Sequence, residues 1–169
     1  MTTSISRAQF LRGDFSGRRA APRPPWALSG AAFFDRCTRC GACQTACPGG
    51  LIQPGSGGYP VIAFDRGGCD FCGACVAACA PGALRRDNPD TKPRALIAQI
   101  AAGCLSRQGV QCRICAEHCE ARAIRFRPSV GGRVQPRIDA QLCSGCGACA
   151  APCPVRAIAL VGITDASPP

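Results

Sequence analysis

Aromatic residues supply only 5% of this 169-residue chain: seven Phe, one Trp and one Tyr. With 20 Gly and 15 Pro beside them, they leave little bulky material for an ordinary apolar core. Long apolar runs are also missing. The longest, Ala95 to Leu105, is broken by Gln99 and falls far short of the ~20 residues a membrane span needs. Acidic residues number 10 against 20 basic ones. There is one histidine, no GxGxxG, no P-loop and no paired carboxylates, so no nucleotide or substrate site is legible and the chain is not read as an enzyme.

What the chain has instead is sixteen cysteines, and they fall into four groups of four. Cys37, Cys40, Cys43 and Cys47 form the first; Cys69, Cys72, Cys75 and Cys79 the second; Cys143, Cys146, Cys149 and Cys153 the fourth. Each of these reads C-x2-C-x2-C-x3-C, the bacterial ligand run for 4Fe–4S clusters. Pro48 and Pro154 follow two of the runs directly, and Pro81 follows the other one place late, after Ala80. The third group, Cys104, Cys112, Cys115 and Cys119, keeps the later gaps but opens the first to seven residues. The expectation is three to four 4Fe–4S clusters.

The spacing suits a cubane for physical reasons. Gaps of two residues let successive thiolates curl round one side of a small object. Gly41, Gly73, Gly145 and Gly147 let the backbone approach closely with positive φ. The fourth cysteine stands where a short helix can begin, and the proline after it tolerates a helix start. A secreted disulfide scaffold would bring a signal peptide and scattered spacings, and a zinc ribbon would bring separated C-x2-C pairs. Neither pattern is present. If ligands cross between runs as in two-cluster ferredoxins, Cys79 joins Cys37, Cys40 and Cys43, while Cys47 joins Cys69, Cys72 and Cys75. Likewise Cys153 would join Cys104, Cys112 and Cys115, and Cys119 would join Cys143, Cys146 and Cys149. His118 reads as a neighbour of a cluster or a surface side chain rather than a ligand. Metal binding should then contribute folding free energy.

The formal charge of +10 does not point to nucleic acid. Four oxidised clusters with their thiolates carry roughly −2 each, which brings the loaded protein to about +2. Nineteen of the twenty basic residues are arginines, spread along the chain rather than gathered in a stripe. They fit balancing of buried negative charge and contact with an acidic or peptide partner.

Along the chain, residues 1–34 read as a basic, largely irregular N-terminal arm. Ser6 to Arg12 resembles a twin-arginine export signal with one arginine missing, but the following residues are polar rather than apolar. Residues 35–86 and 95–163 then read as two ferredoxin-like modules, each with two cluster sites, joined by a charged linker at 87–94 and followed by a tail at 164–169. In the first module, Leu51 to Gln53 and Tyr59 to Phe64 flank the turn Gly55 to Gly58, a hairpin signal. Ala123 to Phe126 and Gln135 to Asp139 flank Gly131-Gly132 in the second. Gly82 to Arg85 and Ala157 to Val161 are expected as outer strands. The fold class expected is α+β, two tandem two-cluster ferredoxin-like modules.

These residues resemble one family closely. The Arg23-Pro24-Pro25-Trp26 segment, the run CTRCGACQTAC from Cys37, the Gly57-Gly58-Tyr59-Pro60 turn, CRICAEHCE from Cys112 and the closing CSGCGACAAPCPV from Cys143 all match the NapF ferredoxin-type proteins of the periplasmic nitrate reductase system. The resemblance implies a cytoplasmic accessory protein. It would meet the catalytic subunit NapA before export and assist that subunit's own 4Fe–4S cluster. The alternative is an electron-transfer ferredoxin serving an oxidoreductase. In the accessory reading residues 7–26 are expected to contribute to docking on NapA, and removing residues 1–26 is expected to leave the clusters intact while weakening NapA capture.

Overall fold

In the computed structural model of the protein, residues 22–87, 93, 96–129 and 134–162 are described. The first half holds α1 (Gly30–Arg36), α2 (Ala42–Thr45), β1 (Ile52–Pro54), a 3-10 turn at Ser56–Gly58, β2 (Pro60–Ile62) and α3 (Ala74–Ala77). In the second half lie β3 (Leu96–Ile100), α4 (Ile114–Glu117), β4 (Ile124–Pro128), β5 (Val134–Ile138) and β6 (Ile158–Gly162). Among the described residues the strands form three two-stranded antiparallel sheets, β1–β2, β3–β6 and β4–β5. The class is therefore mixed α+β with a repeated plan.

Both predicted hairpins form. Ile52 pairs with Ile62 and Pro54 with Pro60 across β1–β2. Across β4–β5, Ile124 pairs with Ile138 and Phe126 with Pro136, while Arg125 and Arg137 pair on the alternate face. Pro136 is tolerated because a two-stranded sheet is all edge, so its missing N–H breaks no inner ladder. The Gly131-Gly132 turn lies outside the described residues, as does most of the expected linker.

The cores are small and built partly from the cysteines themselves. In the first half Cys43 and Cys75 are buried with Phe33, Ile52, Ala83 and Leu84, and Cys37, Cys47 and Cys79 pack around them. The second has Ala98, Ile124 and Cys149, with Cys115, Cys119 and Cys143 against them. Thus the thiols do part of the work that bulky side chains do elsewhere.

Two expectations need correction. Residues 22–34 are not part of an irregular arm. Phe33 is 1% exposed at the centre of the first core. Leu28 N–H donates to Ala83 O at 3.0 Å, Arg85 N–H to Trp26 O at 2.9 Å, and Ile62 N–H to Pro22 O at 2.8 Å. Arg23 lies over the Phe33 and Phe34 rings at 4.7 and 4.6 Å and reaches the carbonyls of Leu28 and Gly30. Its guanidinium packs and bonds locally, which its basic, proline-rich context concealed. Residues 1–21 lie outside the described residues. The second correction concerns the outer strands. Gly82 to Arg85 makes only an isolated bridge, Ala27 with Leu84, whereas β6 pairs along its length with Leu96–Ile100.

The halves meet through their cysteine loops. Cys69 N–H donates to Cys146 O at 2.8 Å. A Cβ on Gly68 would stand 2.8 Å from Ala148 Cα, and one on Gly147 would enter the Phe64 ring. Gly68 has no left-handed backbone to complicate a substitution, so Gly68→Ala tests the contact by sterics alone. It should destabilise the loaded protein by about 1–3 kcal/mol through overpacking. Gly103→Ala, with nothing within 4 Å of its Cβ, should be near neutral. Anaerobic thermal unfolding of the two variants checks both.

Candidate cluster sites

Each cysteine run bends the chain in the same way. In the first two runs the last three cysteines lie on or beside a one-turn helix, opened by Gly41 or Gly73 at φ 79 and 81. After the fourth cysteine of every run the chain turns back on itself. The N–H groups of Gly50, Gly82, Arg122 and Arg156 donate to the carbonyls of Cys47, Cys79, Cys119 and Cys153 at 2.8–3.1 Å. All four of those turn residues have positive φ, although two of them are arginines. N–H groups one or two residues further on then reach sulfur. Leu84 donates to Cys79 Sγ, Ala123 to Cys119 Sγ and Ala157 to Cys153 Sγ, at 3.2–3.3 Å. Ala80 adds no residue to the turn, since the bond to Cys79 O spans three residues as in the other runs. Only the sulfur donor differs, five residues on at Cys79 where the others are four.

The tertiary grouping crosses between runs. Cys79 lines one cavity with Cys37, Cys40 and Cys43. Cys47 lines another with Cys69, Cys72 and Cys75. In the second half Cys153 lines a third with Cys104, Cys112 and Cys115. Cys119, Cys143 and Cys146 surround Cys149 closely enough for their charges to act on it. Thus every predicted cysteine is brought into a set of four. The stretched first gap of the third group is taken up by turns between Ala101 and Val110. Ser106, only 5% exposed, anchors that loop by donating to Val134 O at 2.7 Å. No motif marked Ser106 beforehand; a lone serine in a loop carries no signal of its own.

Burial and mutual repulsion set the acidity of the inner thiols. Burial, then Cys69 and Cys47, push Cys75 up to about 11. Burial with Cys104 and Cys112 does the same to Cys115, also about 11, and burial with Cys146, Cys143 and Cys119 takes Cys149 to about 12. Cys43 and Cys69 are raised mainly by burial too. Exposed Cys40 moves the other way, because the Ala42 N–H and the Thr38 hydroxyl favour its thiolate. His118 stays out of all four sets and bonds the Ile114 carbonyl of its own helix at 3.0 Å.

The donor sets fit a 4Fe–4S cluster. Three sets line cavities with four thiols and mostly apolar walls, and every set has an amide N–H on sulfur, the features that hold and tune such clusters.

Two outcomes follow. Cys79→Ser should weaken the cluster of Cys37, Cys40 and Cys43, leaving that of Cys69, Cys72 and Cys75 in place. Iron analysis should fall by about one cluster of four, and the EPR of the reduced protein should identify which. Thiols held near 11–12 are protonated at neutral pH, so loading must expel protons. At limiting iron, reconstitution should therefore rise steadily from pH 6.5 to 8.5, by about tenfold or more in apparent affinity. Iron retained per chain after desalting measures it.

Known proteins share this plan along the whole chain. A family model described as a 4Fe-4S dicluster domain matches residues 36–84, and a second of the same description matches residues 110–157. Cys104 lies ahead of that second span, yet the fold returns it to Cys112, Cys115 and Cys153. The ferredoxin-type protein NapF of Escherichia coli (strain K12) is 42% identical over 158 residues, covering 94% of this chain and 95% of the relative. NapF of Haemophilus influenzae is 39% identical, covering 93% and 94%. The methylamine utilization ferredoxin-type protein MauM of Paracoccus denitrificans is 34% identical, covering 88% and 74%. Two dicluster modules and near-complete alignment place this iron–sulfur chain in the NapF family of ferredoxin-type proteins.

Proposed function

We propose that the sixteen cysteines hold four 4Fe–4S clusters in the crossed sets, and that the loaded protein is a cytoplasmic accessory factor for NapA, the catalytic subunit of periplasmic nitrate reductase. In this reading it assists the loading of NapA's own cluster before export and is not itself an enzyme. The observation that carries the cluster assignment is the gathering of every cysteine into a set of four. Kinship with NapF proteins supports the choice of partner. When bound, such clusters supply one-electron chemistry or transferable iron and sulfide. The chain's own part is to bind thiolates in four directions, to place N–H groups on sulfur, and to keep Cys43, Cys75 and Cys149 away from water.

A second reading, electron transfer to an oxidoreductase, is favoured by one feature. The Cys69–Cys146 hydrogen bond joins a loop of the second site to a loop of the fourth, so the modules are built into contact at ligand residues. The experiment that separates the readings is to incubate reconstituted protein with cluster-free NapA and follow both cluster transfer and nitrate reductase activity. Transfer with recovered activity supports the accessory role. Recovered activity without transfer, and only on pre-loaded NapA, supports electron delivery.

Packing of Pro22 to Trp26 changes where a docking segment can be tested. Deleting residues 1–26 would remove the Ile62–Pro22 and Arg85–Trp26 bonds along with any docking role. Deleting residues 1–21 spares them. That shorter deletion should keep four clusters by iron analysis and weaken NapA capture about tenfold at low salt, since Arg7, Arg12, Arg18 and Arg19 are lost. Unchanged binding would assign docking to the cluster modules.

A further inference from the structure

Trp26 is the chain's one tryptophan, and it lines the cavity bounded by Cys47, Cys69, Cys72 and Cys75. That cavity is about 190 Å³, against about 20 Å³ at each of the sites of Cys37 and Cys104. The indole Nε1 is buried and has no hydrogen-bond partner; among the described residues Arg107 Nε is the other such side-chain atom. The ring is held on two sides. Phe71 meets it edge-on with centroids 6.2 Å apart, and the Arg86 guanidinium lies 5.2 Å over its face. Its backbone sits at φ 60, in the left-handed region that a bulky residue seldom adopts. An unpartnered buried donor and a left-handed backbone are both costly, and they coincide at a residue on the wall of a cluster site.

We propose that the Trp26 indole N–H is a hydrogen-bond donor to the sulfur of the cluster held by Cys47, Cys69, Cys72 and Cys75, and that it raises the potential of that cluster relative to the other three. The inference rests on the cluster assignment proposed above. Its physical basis is charge: a cluster that gains one electron becomes more negative, so a fixed N–H dipole at sulfur favours the reduced form. The donor belongs to a segment that also pairs with Leu84, outside the residues matched as a dicluster domain. The tuning group is thus brought by the chain ahead of the ligand runs.

Trp26→Phe keeps an aromatic ring against Phe71 and removes the donor. In the full-length reconstituted protein, iron and sulfide should stay at the wild-type level. A potentiometric EPR titration should move one midpoint potential downward, by about tenfold in the reduction equilibrium or about 59 mV for a one-electron couple, with the others in place. Full cluster content with no potential moved overturns the proposal. A wild-type protein lacking the Cys47-set cluster would instead overturn the ligand assignment, so the two failures are distinct. Should the variant shed its cluster, wild-type protein carrying 15N-indole tryptophan gives an independent readout. Electron–nuclear double resonance of the reduced state should show coupling to that single nitrogen; its absence overturns the proposal.

Discussion

Sulfur meeting sulfur across two cysteine runs is the constraint on which each half of this protein depends. The fourth cysteine of each run sits with three from its companion run, so no site is complete until both are folded together. Bulky side chains are few, and the buried clusters contain the cysteines themselves. Without iron the inner thiols are buried, weakly polar groups protonated at neutral pH; ligation by iron would turn the same groups into strong contacts of the core. Ligation and folding are therefore one process, and the sparse aromatic content is affordable because of it. The hairpins and one-turn helices are the shortest elements that return a chain to a small central object.

Arginine is used here as a planar side chain as much as a charge. Arg23 covers Phe33 and Phe34, Arg39 lies 5.4 Å over Tyr59, and Arg113 lies 5.2 Å over Phe126. These stacks extend the few aromatic rings outward. By contrast, the Arg85–Asp87 bridge at 2.7 Å is exposed on both sides and contributes little. At these positions arginine suits better than lysine, because its planar guanidinium can lie on a ring face.

Legibility in the sequence followed the range of each interaction. Cysteine spacing is local and chemically specific, so the four groups, including the stretched one, stand out in the sequence. Both hairpins were visible because glycine turns separate their strands. The crossing of the fourth cysteines came only by analogy with two-cluster ferredoxins, as it depends on contacts between runs. Strand Leu96–Ile100 was hidden because it lacks alternation and finds its partner some sixty residues away in β6. Residues 22–34 looked like a solvated arm on composition, but their arginine stacks on rings and their backbone pairs with Ala83 to Arg85. Ser106 and the role of Trp26 rest on burial, which no motif encodes.

The Cys69–Cys146 hydrogen bond has a bearing on how this protein fails. Its donor and acceptor belong to two cysteine loops, one in each half. When oxidation strips one of those sites, its loop relaxes and the other loop loses a backbone partner at the point where Gly68 and Ala148 touch. Damage in one half then loosens its neighbour, so the two halves share one local unfolding unit at their junction.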